Sequence, residues 1–369
     1  MTPRDARRTL TFGPIAVALD SNDSAAADWL EEFLAPWFTP TPETGEWRVR
    51  LLSSRDAYAE LSDRRPVDAA LRPCFALYQR TLALPAWSAG GRVTVADAER
   101  SCFLIASPFE FDVIADPETR RWRFTSMWVC REIASTRLRR TQLEIHAAAV
   151  EAAGRAILIS GPKGAGKTTL CIHLLRSGHR RLIANDRVFA GGAATSFAVR
   201  GVPTAVRIRP ATAAQFPELG RGLPRVARPF LHTREELAQA IGGDDRSESA
   251  ELGLSLAQLA RQLHVELAAS APLGAIVFPE IRTDVEGARV ERLAPQDVSA
   301  RIWANLFGEQ PGQRPPTLFE DLDGGPSVPS RGLADALSEV APGYRVVLGR
   351  NAYAEPESAA RLLEILIAS

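Results

Sequence analysis

Gly161-Pro162-Lys163-Gly164-Ala165-Gly166-Lys167-Thr168 fits the pattern G-x-x-x-x-G-K-[ST] in full. Its glycines permit positive φ and close backbone approach, so successive N–H groups can turn inward and cradle phosphate oxygens. A helix opening at Thr168 adds the partial positive charge of its N-terminus. In such a loop Lys167 reaches the β- and γ-phosphates of ATP, and the Thr168 hydroxyl ligates Mg2+. Thr169 ends the nucleotide-binding stretch. The chain has only two lysines, Lys163 and Lys167, and both fall in this loop while arginine supplies the remaining cations. A slim ammonium is retained where it must sit among phosphates.

A phosphate loop needs an acid nearby, either for magnesium or to take a proton from an acceptor. The apolar run Leu182-Ile183-Ala184 ends in Asn185-Asp186. Asp186 is therefore expected at the tip of the strand next to the loop, as catalytic base and, with Thr168, as metal ligand. The base-reading N-K-x-D of GTPases is absent, because no third lysine exists.

The elements that must position these residues follow from periodicity and breakers. Apolar runs Ile145–Ala152 and Arg155–Ser160 meet at Ala153-Gly154 as a hairpin, and Thr168–Ser177 is expected to be a helix stopped by Gly178, with His179 helping to finish it. Arg181–Ala184, Leu273–Phe278 and Tyr344–Leu348 read as strands, Val188–Ala190 and Ser196–Arg200 as a hairpin, and Glu355–Ala368 as a closing amphipathic helix. Arg207 and Arg209 stand two apart and face either an acidic ligand or solvent. Ahead of Arg140 the pattern is a mixed α/β unit. It has strands around Leu10–Leu19, Trp47–Leu52, Cys74–Leu84, Arg92–Ala96, Ser101–Ala106 and Phe109–Ala115, and a helix over Ala25–Phe38. Phe111–Ala115 and Arg121–Phe124 are expected to form a hairpin, followed by an Arg-rich helix over Trp128–Arg140, in which Trp128 and the Arg137-Leu138-Arg139-Arg140 cluster form a salt-bridged surface in preference to a clamp for a partner.

Two domains are expected, 1–140 for substrate recognition or assembly and 141–369 for catalysis, the latter carrying insertions near 217–250 and 308–332. Lys+Arg and Asp+Glu both number 44, so no global field argues for nucleic acid or an anionic membrane. No window has the ~20 apolar residues of a membrane helix, and cytoplasmic residence is expected. Cys74, Cys102, Cys130 and Cys171 are too scattered for a zinc site and read as buried, reduced thiols.

The run Ile145-His146-Ala147-Ala148-Ala149-Val150, then Ile157–Thr169, then Ala184-Asn185-Asp186-Arg187-Val188 resembles the HPr kinase/phosphorylase family. The resemblance is closest to related kinases that modify other substrates, including lasso-type peptides, and is good over Glu144–Arg209. It implies an α/β fold with a P-loop core of the HPr-kinase and phosphoenolpyruvate-carboxykinase type, beside a separate N-terminal mixed α/β domain. By the same resemblance His146 matches the family's histidine near the transferred phosphate, Asp186 its catalytic base, and Arg200-Gly201 its second signature. Two positions depart from the pattern: Asn185 replaces the first acid of the family's Asp-Asp, and Ala198 replaces an acid two before Arg200. These losses favour a kinase without the reverse reaction. The family's own amino-terminal domain is not recognisable in 1–140, which sets HPr aside as substrate.

The expected activity is transfer of a phosphoryl group from ATP–Mg to a hydroxyl, a serine above all, of a peptide, protein or small molecule, with Asp186, His146 and Lys167 as catalytic residues. The alternatives are a non-catalytic nucleotide-binding module and an NTPase using water. A homo-oligomer is expected from the same resemblance.

Overall fold

A computed structural model describes residues 6–78, 80–176, 180–193, 196–220, 228–239, 252–307, 316–324, 330–352 and 356–367. The expected stop at Gly178 and the placement of His179 lie outside these residues. The protein is a mixed α/β structure of two compact units. Among the described residues no helix is long and apolar enough to cross a membrane.

The first unit contains a nine-stranded sheet, in the order Thr39–Pro40, Ala6–Phe12, Ile15–Ser21, Trp47–Ser53, Glu110–Ala115, Cys102–Ser107, Arg92–Asp97, Arg80–Ala89, Ala70–Leu77. Trp47–Ser53 runs parallel to both of its neighbours, and the other pairings are antiparallel. Helix Ser24–Leu34 buries Trp29, Leu30, Phe33 and Leu34, the face that its period marked. The stretch read as one strand, Cys74–Leu84, is instead parts of two strands, Ala70–Leu77 and Arg80–Ala89, paired with each other.

The hairpin expected between Phe111–Ala115 and Arg121–Phe124 does not form. Glu110–Ala115 pairs with Cys102–Ser107 through a turn in which Phe109 takes a φ of 64°. Trp122 opens a helix that runs to Leu138. That helix buries almost every residue, Arg123, Arg131 and Glu132 among them. A helix enclosed on all sides must neutralise its charges internally. Arg139 pairs with Glu132 at 3.0 Å, Arg137 with Asp323 at 2.7 Å, and Arg123 with Glu236 at 2.7 Å. Trp128 is buried between Phe75 and Phe124. Arg131 and Arg139 thus lie in the interior, whereas Arg137 and Arg140 keep part of their surface exposed and pair with Glu46 and Asp323, as the expected salt-bridged helix surface requires. Glu132 is on the helix itself, while Glu236 and Asp323 come from Leu231–Leu237 and from the described part of Gly308–Val328, which belong to this unit. Both segments were expected as insertions of the second domain, but their carboxylates are what the buried guanidiniums of the first require.

The second unit is built on a ten-stranded sheet. Its central strand, Ser270–Glu286, pairs in parallel with Arg155–Ser160 on one side and with Gly343–Arg350 on the other. Arg155–Ser160 is in turn antiparallel to Ala147–Ala152, through a two-residue turn with Ala153 and Gly154 both at positive φ (50° and 78°). Arg181–Ala184 lies on the far edge of Ala147–Ala152, so it is separated from Arg155–Ser160 by one strand. Apolar residues of these strands pack with Val298, Ile302, Ala334 and Leu337 from helices Pro295–Ala304 and Arg331–Val340 into one core.

Candidate functional site

Strand Arg155–Ser160 is buried from Ala156 onward and ends at the glycine loop, and helix Lys167–Leu175 follows it. Gly161, Gly164 and Gly166 take φ values of 155°, 91° and 98°. Gly166 is the N-cap, and no side chain caps the helix. Its first N–H groups therefore remain available to an anion, with the helix dipole behind them. A Cβ at Gly166 would stand 2.9 Å from the side chain of Ile281, although that side chain is half exposed and free to yield. The backbone conformation is the firmer constraint: Gly166→Ala is expected to destabilise the second unit by about 1–2 kcal/mol, read as a lowered denaturant midpoint. An unchanged midpoint would show that the loop relaxes at no cost.

Lys167 is buried, and its Nζ donates to the carbonyl oxygens of Gly161 at 2.7 Å and Pro162 at 3.0 Å. The ammonium thus spans the loop from within. Burial lowers its pKa to about 8, against a smaller opposing pull from the carboxylate of Asp186. Thr168 is half-buried on the first helical turn, and the hydroxyl of the buried Thr169 lies 3.5 Å from that of Thr212. Pro162, Lys163 and Gly164 form the exposed crest, and Ala165 is half-buried.

His146 occupies a position that periodicity cannot reveal. Leu143–Ile145 pairs with Val188–Ala190, whereas Ala147–Ala152 pairs with Arg155–Ser160. The one residue between them is where the chain passes from one part of the sheet to another. There the His146 N–H donates to the carbonyl of Asn305 at 2.8 Å. Asp186 approaches from the next edge, its carbonyl accepting from the Ala147 N–H at 3.2 Å, and the His146 Nε2 meets Asp186 Oδ1 at 3.2 Å.

The electrostatics of this group are coupled. Burial dominates at His146 and holds its pKa below the ordinary value, although Asp186 pulls it upward. Around Asp186 desolvation is the largest influence and would raise its pKa. The His146 hydrogen bond and the positive charges of Lys167 and Arg187 help outweigh it, and the carboxyl is held below its ordinary pKa. The Asp186 side chain nonetheless keeps 42% of its surface open. A neutral imidazole, an ionised and accessible carboxylate and a charged lysine therefore stand together at the loop.

Asn185 is buried, and its Oδ1 has no hydrogen-bond partner. A desolvated carbonyl oxygen of this kind is costly unless something donates to it or coordinates it. Among the described residues no group of three or more His, Cys, Asp or Glu could hold a metal alone. Mg2+ keeps several waters and takes one or two protein ligands plus phosphate oxygens. The Thr168 hydroxyl and the Asp186 carboxylate would hold it, and the buried, unpartnered Asn185 oxygen is a donor of the right chemistry.

Other polar residues of this part of the chain are placed elsewhere. His173 is wholly buried, its Nε2 lies 2.9 Å from Ser358 Oγ, and burial lowers its pKa to about 4. It joins the loop helix to helix Pro356–Ile367 and does not line the loop. Arg207 lies on the outward face of strand Ala205–Ile208, and Arg209 follows it, exposed. Arg200 is half-buried on strand Ser196–Gly201, where burial lowers its pKa, and Ala198 is exposed. The four cysteines are free and buried, and burial pushes Cys74, Cys130 and Cys171 up to about 12.

Sequence reasoning missed the scaffold behind the site. Arg187, fully buried, donates through Nε to Glu144 and stacks over Phe307 at 4.2 Å. Both flank the site residues in the chain, Glu144 two before His146 and Arg187 next to Asp186. A charged residue inside an apolar run was the available signal.

No family model matches the chain, and no curated protein matches it. Among solved structures it is similar to the Hpr(Ser) kinase/phosphatase from Coxiella burnetii, at 9% identity and a TM-score of 0.26, over 61% of this chain and 99% of that one. At that level the likeness decides neither fold nor activity.

Proposed function

We propose that this protein is an ATP-Mg-dependent kinase that phosphorylates a hydroxyl group, a serine hydroxyl above all, of a peptide, protein or small molecule. The observation that carries the reading is the 3.2 Å contact between His146 Nε2 and Asp186 Oδ1 beside the loop lysine. It supports taking Asp186 as an ionised acceptor of protons beside the end of a bound triphosphate.

In this reading the loop amides and Lys167 hold the β- and γ-phosphates and offset charge as the γ-phosphoryl group leaves. Asp186 accepts the hydrogen bond of the incoming hydroxyl. As the new O–P bond forms and the bond to the ADP oxygen breaks, the hydroxyl proton passes to Asp186. His146 fixes the carboxylate's orientation through Nε2. Magnesium, when bound, would be held by the Thr168 hydroxyl and the Asp186 carboxylate and would supply positive charge that offsets the phosphates. The test is transfer of labelled γ-phosphate from ATP-Mg to serine-containing acceptor peptides. Label that appears only as free phosphate whatever acceptor is added would reject the kinase in favour of a hydrolase.

A second reading rests on Asn185. With an amide where the resembled family carries an acid, the site holds one carboxylate, and the chain would bind nucleotide without turning it over. Binding with neither transfer nor phosphate release selects it.

The lowered pKa of Lys167 makes the binding step pH-dependent. In the free protein the ammonium deprotonates at about 8. Phosphates stabilise its charged form, so its pKa must rise on binding. Between about pH 8 and 10, ATP binding is therefore expected to take up a proton, and affinity to fall as pH rises. Calorimetry in buffers of different ionisation enthalpy reads this directly. Proton release over that range would contradict it.

A further inference from the structure

Strand Ser270–Glu286 is continuously buried from Ala275 to Pro279 and exposed from Ile281 to Asp284. Ile281 is the last residue in regular pairing with Gly343–Arg350. From Ile281 to Glu286 the strand advances five positions while its partner advances two, from Leu348 to Arg350. The surplus chain bulges outward at this point. Its polar residues satisfy one another: Arg282 pairs with Glu280 and Asp284, and Arg345 with Glu280 and Glu291. Ile281 stands out against them as a large apolar side chain with 46% of its surface exposed. It also abuts the phosphate loop, because its Cγ1 and Cδ1 lie 2.9 Å from where a Gly166 Cβ would be.

Of the other large hydrophobic side chains exposed among the described residues, Val67, Leu71 and Phe109 belong to the first unit, and Ile365 lies on the last helix. Apolar surface on the rim of a polar, anion-seeking loop has no use for phosphates. It does have a use for the part of a nucleotide that is not phosphate.

We propose that Ile281 is a specificity-determining contact for the nucleoside half of the ligand, packing against its ribose and base while the loop holds the phosphates. The inference rests on Gly161–Thr168 being a triphosphate-binding loop. An aliphatic side chain offers contact area and no hydrogen bonds. It therefore separates nucleotides from bare polyphosphates and does not choose strongly among bases.

The test is calorimetric titration of the full chain with ATP and with inorganic tripolyphosphate, each with magnesium, for wild type, Ile281→Thr and Ile281→Leu. The threonine variant keeps a β-branched residue suited to a strand, and an exposed position is not at risk of failing to fold. Ile281→Thr is expected to weaken ATP about tenfold and leave tripolyphosphate within about twofold, with Ile281→Leu close to wild type. Equal loss for both ligands would make Ile281 a buttress of the loop, and no loss for either would leave it without a role; each overturns the inference alone. Wild type binding neither ligand would overturn the phosphate-loop reading, and the inference with it.

Discussion

Asp186→Asn should abolish most phosphoryl transfer while leaving nucleotide binding nearly intact. The substitution preserves volume, and an amide oxygen can still meet His146 Nε2 across the 3.2 Å contact. What it removes is the charge that, in the proposed mechanism, accepts the acceptor's proton. General-base loss typically costs on the order of 10²–10⁴ in rate, so kcat should fall at least a hundredfold. Lys167 has its own contacts to the Gly161 and Pro162 carbonyls, and ATP affinity should therefore shift by less than about fivefold. The split between the two measurements is the informative part. A variant that transfers phosphate at the wild-type rate would remove Asp186 from the mechanism. One that loses binding and turnover together would make it a magnesium ligand first. His146→Asn should give a smaller version of the same pattern, because it only orients the carboxylate.

The second large effect is on stability. Arg187 and Glu144 have side-chain exposures of 0% and 3%, and they pair directly. A buried ion pair offers little advantage over apolar residues of similar volume, but removing one partner strands a charge and typically costs about 3–5 kcal/mol. Arg187→Met should therefore lower the unfolding free energy of the second unit by that amount, as should Glu144→Leu. The double variant should recover most of the loss, since two well-packed apolar side chains then replace the pair. Denaturant titrations of the four proteins form the cycle. Additive losses in the double variant would show that the two side chains do not depend on each other. Transfer activity should fall in either single variant in proportion to how far Asp186, the next residue along, loses its place.

The physical reason these predictions centre on few residues lies in the sheet. Arg181–Ala184 does not adjoin the loop strand, as a simple reading of chain order expects, because Ala147–Ala152 intervenes. The carboxylate still reaches the loop because Asp186 lies past the strand end, and His146, at the strand switch, extends toward it. A change in register on Ala147–Ala152 would separate them, since a one-residue slip turns every side chain to the other face.

Much of this was legible in the residues alone. The glycine loop announces itself because positive φ is costly for other residues and lysine is otherwise absent from the chain. The hairpin ahead of it follows from two apolar runs meeting at Ala153-Gly154, and helix Ser24–Leu34 from the spacing of Trp29, Leu30, Phe33 and Leu34. Such features are local: the chemistry of a few neighbouring residues decides them. Four matters were decided only by tertiary structure. Trp122–Arg123-Phe124 joins a helix, because that face packs inward and its guanidiniums find acids more than a hundred residues away. Leu231–Leu237 sits with the first unit for the same reason, its partner charges being there. His146 meets Asp186 through pairings with two different stretches of chain, and Ile281 meets Gly166 across 115 positions of sequence. Periodicity reports that a residue will be buried and on which face of its element. It carries no term for which distant segment will cover it, and that choice assembled the site.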